Sequence, residues 1–265
     1  MRQNSFPISK LGVATRPRHF RDSTMPLQGF DQTLSRFGLE KLKGGLDLQL
    51  TKRGDIGVTR DGDLRFGNTQ GNALFRLIER WRQSESTITE LFGPMVRAAR
   101  RLHELSGARE RGEGPSLSQA PQAYHEATET IIESQLISST LAGSISVILN
   151  NLLQRLKLDL NASDDEWRLS APMTNGFSVG EIFAAAAANF RHYDEWAATK
   201  VPDAKQMISM KVLCGLLNTP VQTARGFPTI RTNVCGSVLM LISRGSVDTL
   251  HEITFDYAKS LAKCK

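Results

Sequence analysis

The stretch Phe177-Ser-Val-Gly-Glu-Ile-Phe-Ala-Ala-Ala-Ala-Ala-Asn-Phe-Arg-His-Tyr-Asp-Glu-Trp196 decides the fold. Ser178 and Glu181 have the spacing of a capping box, in which each side chain takes up an orphan N–H of the first turn. Phe177 and Ile182 fit the hydrophobic staple around that start. The alanine run that follows suits a helix interior, because alanine loses no side-chain entropy there. Asn189, Arg191, His192, Asp194 and Glu195 then crowd into seven residues. Polar groups that dense, behind an apolar run, need partners, a catalytic task or water. The stretch therefore predicts a bundle helix whose second half carries any chemistry.

Working outward, the flanking sequence reads as more helices. One long helix, or two in line, runs from about Gln122 to Leu158. Its Ser134, Ser138, Ala142 and Ser146 recur every four residues, a stripe of small side chains that lets another helix approach, and Gly143 is a place for a kink. Met207–Leu217 is a further helix ending near Asn218-Thr-Pro220, with Met207 and Met210 as core filling. Val221–Arg231, with Gly226 and Pro228, is a loop. Asn233 can cap a helix reaching Ser243, and Ser246 one reaching Ala262. Residues 122–265 are thus predicted to form a helical bundle domain.

Toward the N-terminus the pattern changes. Residues 1–30 combine three prolines with Arg16, Arg18, His19 and Arg21, which predicts a flexible basic arm. Leu46, Leu48 and Leu50 alternate at the strand period, followed by the near-repeat Thr51-Lys-Arg-Gly-Asp-Ile-Gly-Val58 and Thr59-Arg-Asp-Gly-Asp-Leu-Arg-Phe66. Arg53-Gly54 and Asp61-Gly62 supply turns, so a three-stranded antiparallel β-meander is expected over about residues 46–66. Leu74, Leu77, Ile78 and Trp81 share one face of a helix, with Arg76, Arg80 and Arg82 toward water. A second helix is expected over Pro94–Leu105, Pro94 in its first turn and Arg97, Arg100 and Arg101 outward. Residues 107–121, rich in glycine and proline, read as a linker and domain boundary between a small domain of residues 31–106 and the bundle. The expected fold is mainly α, with a C-terminal helical bundle and a small N-terminal meander plus helices.

Composition narrows the classes. With 265 residues, 40% hydrophobic and 23% charged, the chain has an ordinary globular balance. Its most apolar segment, Ile131–Leu153, carries Glu133, Gln135 and Asn150-Asn151, too polar for a lipid-facing span, so no membrane association is expected. The start lacks the apolar core of a secretion signal, and three cysteines without metal-ligand spacing fit reduced thiols, which together predict a cytoplasmic protein. The net charge of +6 is uneven: residues 1–112 hold 20 Lys/Arg against 12 Asp/Glu, and residues 113–265 hold 13 against 15. That asymmetry makes Arg76, Arg80, Arg97, Arg100 and Arg101 candidates for nucleic-acid binding. Phosphate-loop, GxSxG and HExxH motifs are absent from the sequence. Glu126, Glu129 and Glu133 share a face with no second cluster to complete a metal shell, so no metal or cofactor is expected.

Asn189 and His192 fall on one helix face, with Glu195 continuing it, and Arg191 can reach Glu195 at i+4. An imidazole titrates near neutrality and can move a proton, an amide can orient it, and a guanidinium can hold a phosphate. Asn189, Arg191 and His192 are therefore the candidate catalytic residues. On this cluster and the helix count, residues 122–265 resemble HEPN domains. Those are all-α bundles of prokaryotic defence and toxin systems, many of them dimeric, metal-independent ribonucleases. The family's Arg-to-His spacing also occurs at Arg97…His103 and at Arg244…His251, the latter pair a second candidate site. The resemblance implies an RNA-directed protein, with a metal-independent endoribonuclease as its catalytic form and a homodimer or another protein as partner. The other readings are a non-catalytic adaptor or inhibitor subunit of a defence or mobile-element system, or a basic protein that binds RNA or another nucleic acid.

Overall fold

The computed structural model describes residues 30–40, 51–58, 62, 69–199 and 201–264. Among these residues the chain forms eight helices and a two-stranded sheet. It divides into two compact units, residues 1–40 and 41–265. In the first, helix α1 (Phe30–Arg36) ends in a turn closed by Leu39 N–H on the Leu34 carbonyl at 2.9 Å. The basic arm before residue 30 lies outside the described residues.

The second unit is built on a helical hairpin. Helix α2 (Thr69–Glu110) and helix α3 (Pro121–Leu160) are 42 and 40 residues long, each about 60 Å at 1.5 Å per residue. They run antiparallel, since Arg76 near the start of α2 meets Asp159 near the end of α3, and Arg109 meets Tyr124 at the other end. The predicted face of Leu74, Leu77, Ile78 and Trp81 is buried and extends through Ile88, Phe92 and Met95.

The separate helices predicted over 74–81 and 94–105 are one, with Pro94 inside it. Proline removes an N–H, but Phe92, Met95 and Val96 around it are buried, so packing outweighs the local cost. The expected linker over 107–121 shrinks to a turn-rich connection of residues 111–120 within one compact unit. Neither long helix can bury its apolar face without the other, so glycine and proline mark a helix–helix turn and not a domain boundary.

Of the expected meander over residues 46–66, residues 51–58 and 62 are described and form no strand, while the other positions lie outside the described residues. Gly54 and Gly62 do take the positive φ predicted for its turns, at 85° and 86°.

Around α3 the remaining elements are α4 (Asp164–Leu169), the hairpin β1 (Met173–Thr174) and β2 (Phe177–Ser178), α5 (Val179–Ala198), α6 (Ala204–Leu216), α7 (Cys235–Ser243) and α8 (Val247–Lys263). The capping box of α5 forms as predicted: Glu181 N–H donates to Ser178 Oγ at 3.2 Å, and Ser178 N–H to Glu181 Oε2 at 3.0 Å. Similar boxes start α4 at Ser163–Glu166 and α6 at Asp203–Gln206.

The small-residue stripe of α3 is buried at all four positions. Beside it Gly143 receives Phe190 of α5: a Cβ added there would lie 2.1 Å from the ring. Glycine at 143 is thus required by close approach of the neighbouring side chain. By length and composition α3 could cross a membrane, but 56% of its most apolar window is buried inside the protein.

Helices α2 and α8 meet through an aromatic cluster. Trp81 lies edge-on to Phe255 at 5.3 Å and to His251 at 5.1 Å between ring centroids.

Candidate functional site: an arginine row beside an α2–α3–α7 cleft

Asn189 and His192 share a helix but not an environment. Asn189 is fully buried, and its amide is committed at both ends. Nδ2 donates to the Thr232 carbonyl at 3.1 Å, and Oδ1 accepts from Val234 N–H at 2.9 Å. It clamps the segment that leads into α7. A carboxamide so engaged cannot orient His192, which corrects the expectation drawn from their spacing.

His192 is on the surface, its side chain 49% exposed, with Nδ1 3.3 Å from Glu195 Oε1. Glu195 therefore serves the imidazole, and the expected Arg191–Glu195 pair is not found among the described residues. Arg191 is exposed. His192 and Glu195 border a shallow groove of about 280 Å³ toward α6, where Asp203 and Lys205 are the other charged residues. Two carboxylates against one ammonium and one imidazole give no cationic hollow for a phosphodiester.

The second candidate pair is also separated by role. His251 packs in the aromatic cluster, 4.8 Å from the Phe255 centroid. Arg244 is exposed at the C-cap of α7 in the left-handed conformation, φ 51°. It joins a different group, because Arg100 reaches the same corner: a Cβ on Gly245 would lie 3.5 Å from Arg100 Nη2. The carbonyl end of α7 favours cations there.

The five arginines expected to meet nucleic acid divide in two. Arg76 and Arg80 donate to Asp159 Oδ1 and Oδ2 at 3.2 and 2.6 Å, with side chains only 9% and 19% exposed. Both are drawn into the hairpin by that one carboxylate, which corrects the view that both project toward water. Arg97, Arg100 and Arg101 are exposed on the later turns of α2, and no salt bridge to them is found among the described residues. Together with Arg244 they form a cationic row on the α2–α7 face.

Beside that row lies a cleft of about 510 Å³ between α2, α3 and α7, within the range of sites for small organic groups. Arg100, Leu102 and His103 come from α2, Gln135 and Ser139 from α3, and Asn233 and Met240 from the α7 side. The floor is rigid. Ser139 Oγ donates to the Asn233 carbonyl and Asn233 Nδ2 returns a bond to the Ser139 carbonyl, both at 3.1 Å. Asn233 Oδ1 also accepts from Cys235 N–H at 3.0 Å, and Asn189 holds the other side of the same segment. Burial pushes the Cys235 thiol up to about 12, so this cysteine is a packing group and not a nucleophile.

In the sequence Asn233 stands out only as a helix cap and His103 only as half of a spacing match. Nothing local marks Gln135 or Ser139 as lining residues, because the cleft exists only once three helices meet.

The chain matches no known family model, no curated protein and no solved structure. Among the described residues no group of three His, Cys, Asp or Glu side chains could hold a metal.

Proposed function

We propose that this protein binds nucleic acid through the phosphate backbone, using the row Arg97, Arg100, Arg101 and Arg244, and does no chemistry with His192. One observation carries the reading: of the five candidate arginines, two are held by the Asp159 carboxylate while the three in the row face solvent with no salt bridge among the described residues. Guanidiniums left in that state attract phosphate through their planar donor forks and release counterions on binding. They stand along about one helical turn, as three exposed side chains at 97, 100 and 101, so a strand can lie across them.

The HEPN-like ribonuclease reading needs an oriented imidazole beside a phosphate-holding cation. Asn189 is committed elsewhere, and Glu195 and Asp203 repel phosphate from the His192 groove.

The test is fluorescence anisotropy with a labelled oligonucleotide and the full chain. Arg97→Ala/Arg100→Ala/Arg101→Ala is expected to lose most of the binding, while Arg191→Ala leaves it unchanged. Incubation with RNA in EDTA is expected to give no cleavage. Equal binding by the triple variant removes the proposal, and cleavage abolished by His192→Ala restores the ribonuclease reading.

A further inference from the structure

The cleft and the arginine row share Arg100, and their chemistries differ in a way that assigns each a part of one ligand. Within the cleft Arg100 is accompanied by Glu104, one turn on along α2, so the formal charge there is close to balanced. A balanced cleft is not an anion hole. Its walls instead offer the Glu104 carboxylate and the Gln135 carboxamide for hydrogen bonding, with Leu102 and Met240 as apolar surface. Hydrogen-bonding edges combined with apolar faces suit a planar heterocycle, whereas the exposed guanidiniums just outside suit phosphate.

We infer that the cleft seats one unstacked base of a single-stranded nucleic acid whose phosphates lie on Arg97, Arg100 and Arg101. This rests on the backbone-binding reading above and adds the substrate class: single strand over duplex, because a paired base cannot leave its stack without a penalty. The floor is held before any ligand arrives, by Asn189 from one side and by the Ser139–Asn233 pair from the other. A pre-organised seat loses little entropy on filling. The volume of about 510 Å³ accommodates a base without rearrangement of the three helices.

Ser237 lines the cleft and is exposed, so Ser237→Trp fills it without entering the core. Anisotropy is measured for four probes on the full chain: single-stranded RNA, single-stranded DNA, the RNA duplex, and an oligonucleotide of abasic units with the same phosphates. The expected result is that single strands with bases bind about tenfold or more tighter than the abasic strand, as a seated base implies. Ser237→Trp is expected to erase that difference while leaving duplex and abasic binding within about twofold, since those probes use only the phosphate row. Thermal unfolding of Ser237→Trp at the wild-type temperature confirms that the fold is intact.

Equal wild-type binding of abasic and base-bearing strands overturns the base seat and leaves the arginine row standing. Binding of no probe overturns both. An unfolded Ser237→Trp is replaced by Met240→Trp at the same cleft, with the same expectation. Tight binding of a peptide in the cleft, with nucleic acid unbound, also refutes the inference.

Discussion

Replacing Asn189 by leucine removes a clamp rather than a catalytic group, and the two roles have different signatures. The amide makes two hydrogen bonds, to Thr232 at 3.1 Å and from Val234 at 2.9 Å. Leucine fills a similar volume and makes neither. Two intramolecular bonds are worth about 1 kcal/mol each, and a buried donor left without an acceptor costs roughly 1–3 kcal/mol. Thr232 is exposed, so its carbonyl can turn to water, while Val234 N–H loses its acceptor. A net loss of about 2–3 kcal/mol follows. In a unit of this size that is a melting-temperature drop of about 4–12 °C. Urea unfolding followed by circular dichroism gives the free energy, and the NMR chemical shifts of the His192 ring give the other readout. The expected result is a lower urea midpoint with the His192 ring shifts unchanged, because Glu195 and not Asn189 contacts that ring. A stability loss under about 0.5 kcal/mol, the ordinary surface range, refutes the clamp.

Three other outcomes follow from the packing. Gly143→Ala gains about 1 kcal/mol of helix propensity but forces a methyl to 2.1 Å from Phe190, and overpacking of this kind costs about 1–3 kcal/mol or more; urea unfolding should show a net loss that disappears when Gly143→Ala is made in, and compared with, a Phe190→Ala background. Asp159→Asn leaves the Arg76 and Arg80 guanidiniums facing each other at the hairpin and is expected to cost about 3 kcal/mol by the same assay. A thiol reagent should modify exposed Cys264 at once, and Cys214 and Cys235, both buried with thiols pushed up by desolvation, only after denaturation.

Much of the fold is legible because its signals are local. Ser178 and Glu181 specify the start of α5 within three residues, and the stripe on α3 announces its buried face within four. Signals of the same kind stand at Ser163…Glu166, which caps α4, and at Asn175-Gly176. There the φ values of 51° and 84° make the turn of the β1–β2 hairpin. Pro94 misleads because a local rule takes no account of the long α3 surface against which α2 stays helical through it.

The candidate site is less legible, for a physical reason. Spacing tells which side chains share a helix face, but not what covers that face. The groups that bind Asn189 lie 43 and 45 residues downstream, and the carboxylate that pairs with Arg76 lies 83 residues away. Charge counting finds the basic half, yet only tertiary contacts separate Arg97, Arg100 and Arg101 from the arginines already paired.

The salt dependence of single-stranded RNA binding tests the arginine row most directly. Each guanidinium–phosphate pair removed reduces the magnitude of the slope of log K against log salt by about 0.7 for a single strand. The triple alanine variant at positions 97, 100 and 101 should therefore have a slope shallower by about 2 than the unaltered chain. An identical slope in the two proteins would contradict the account.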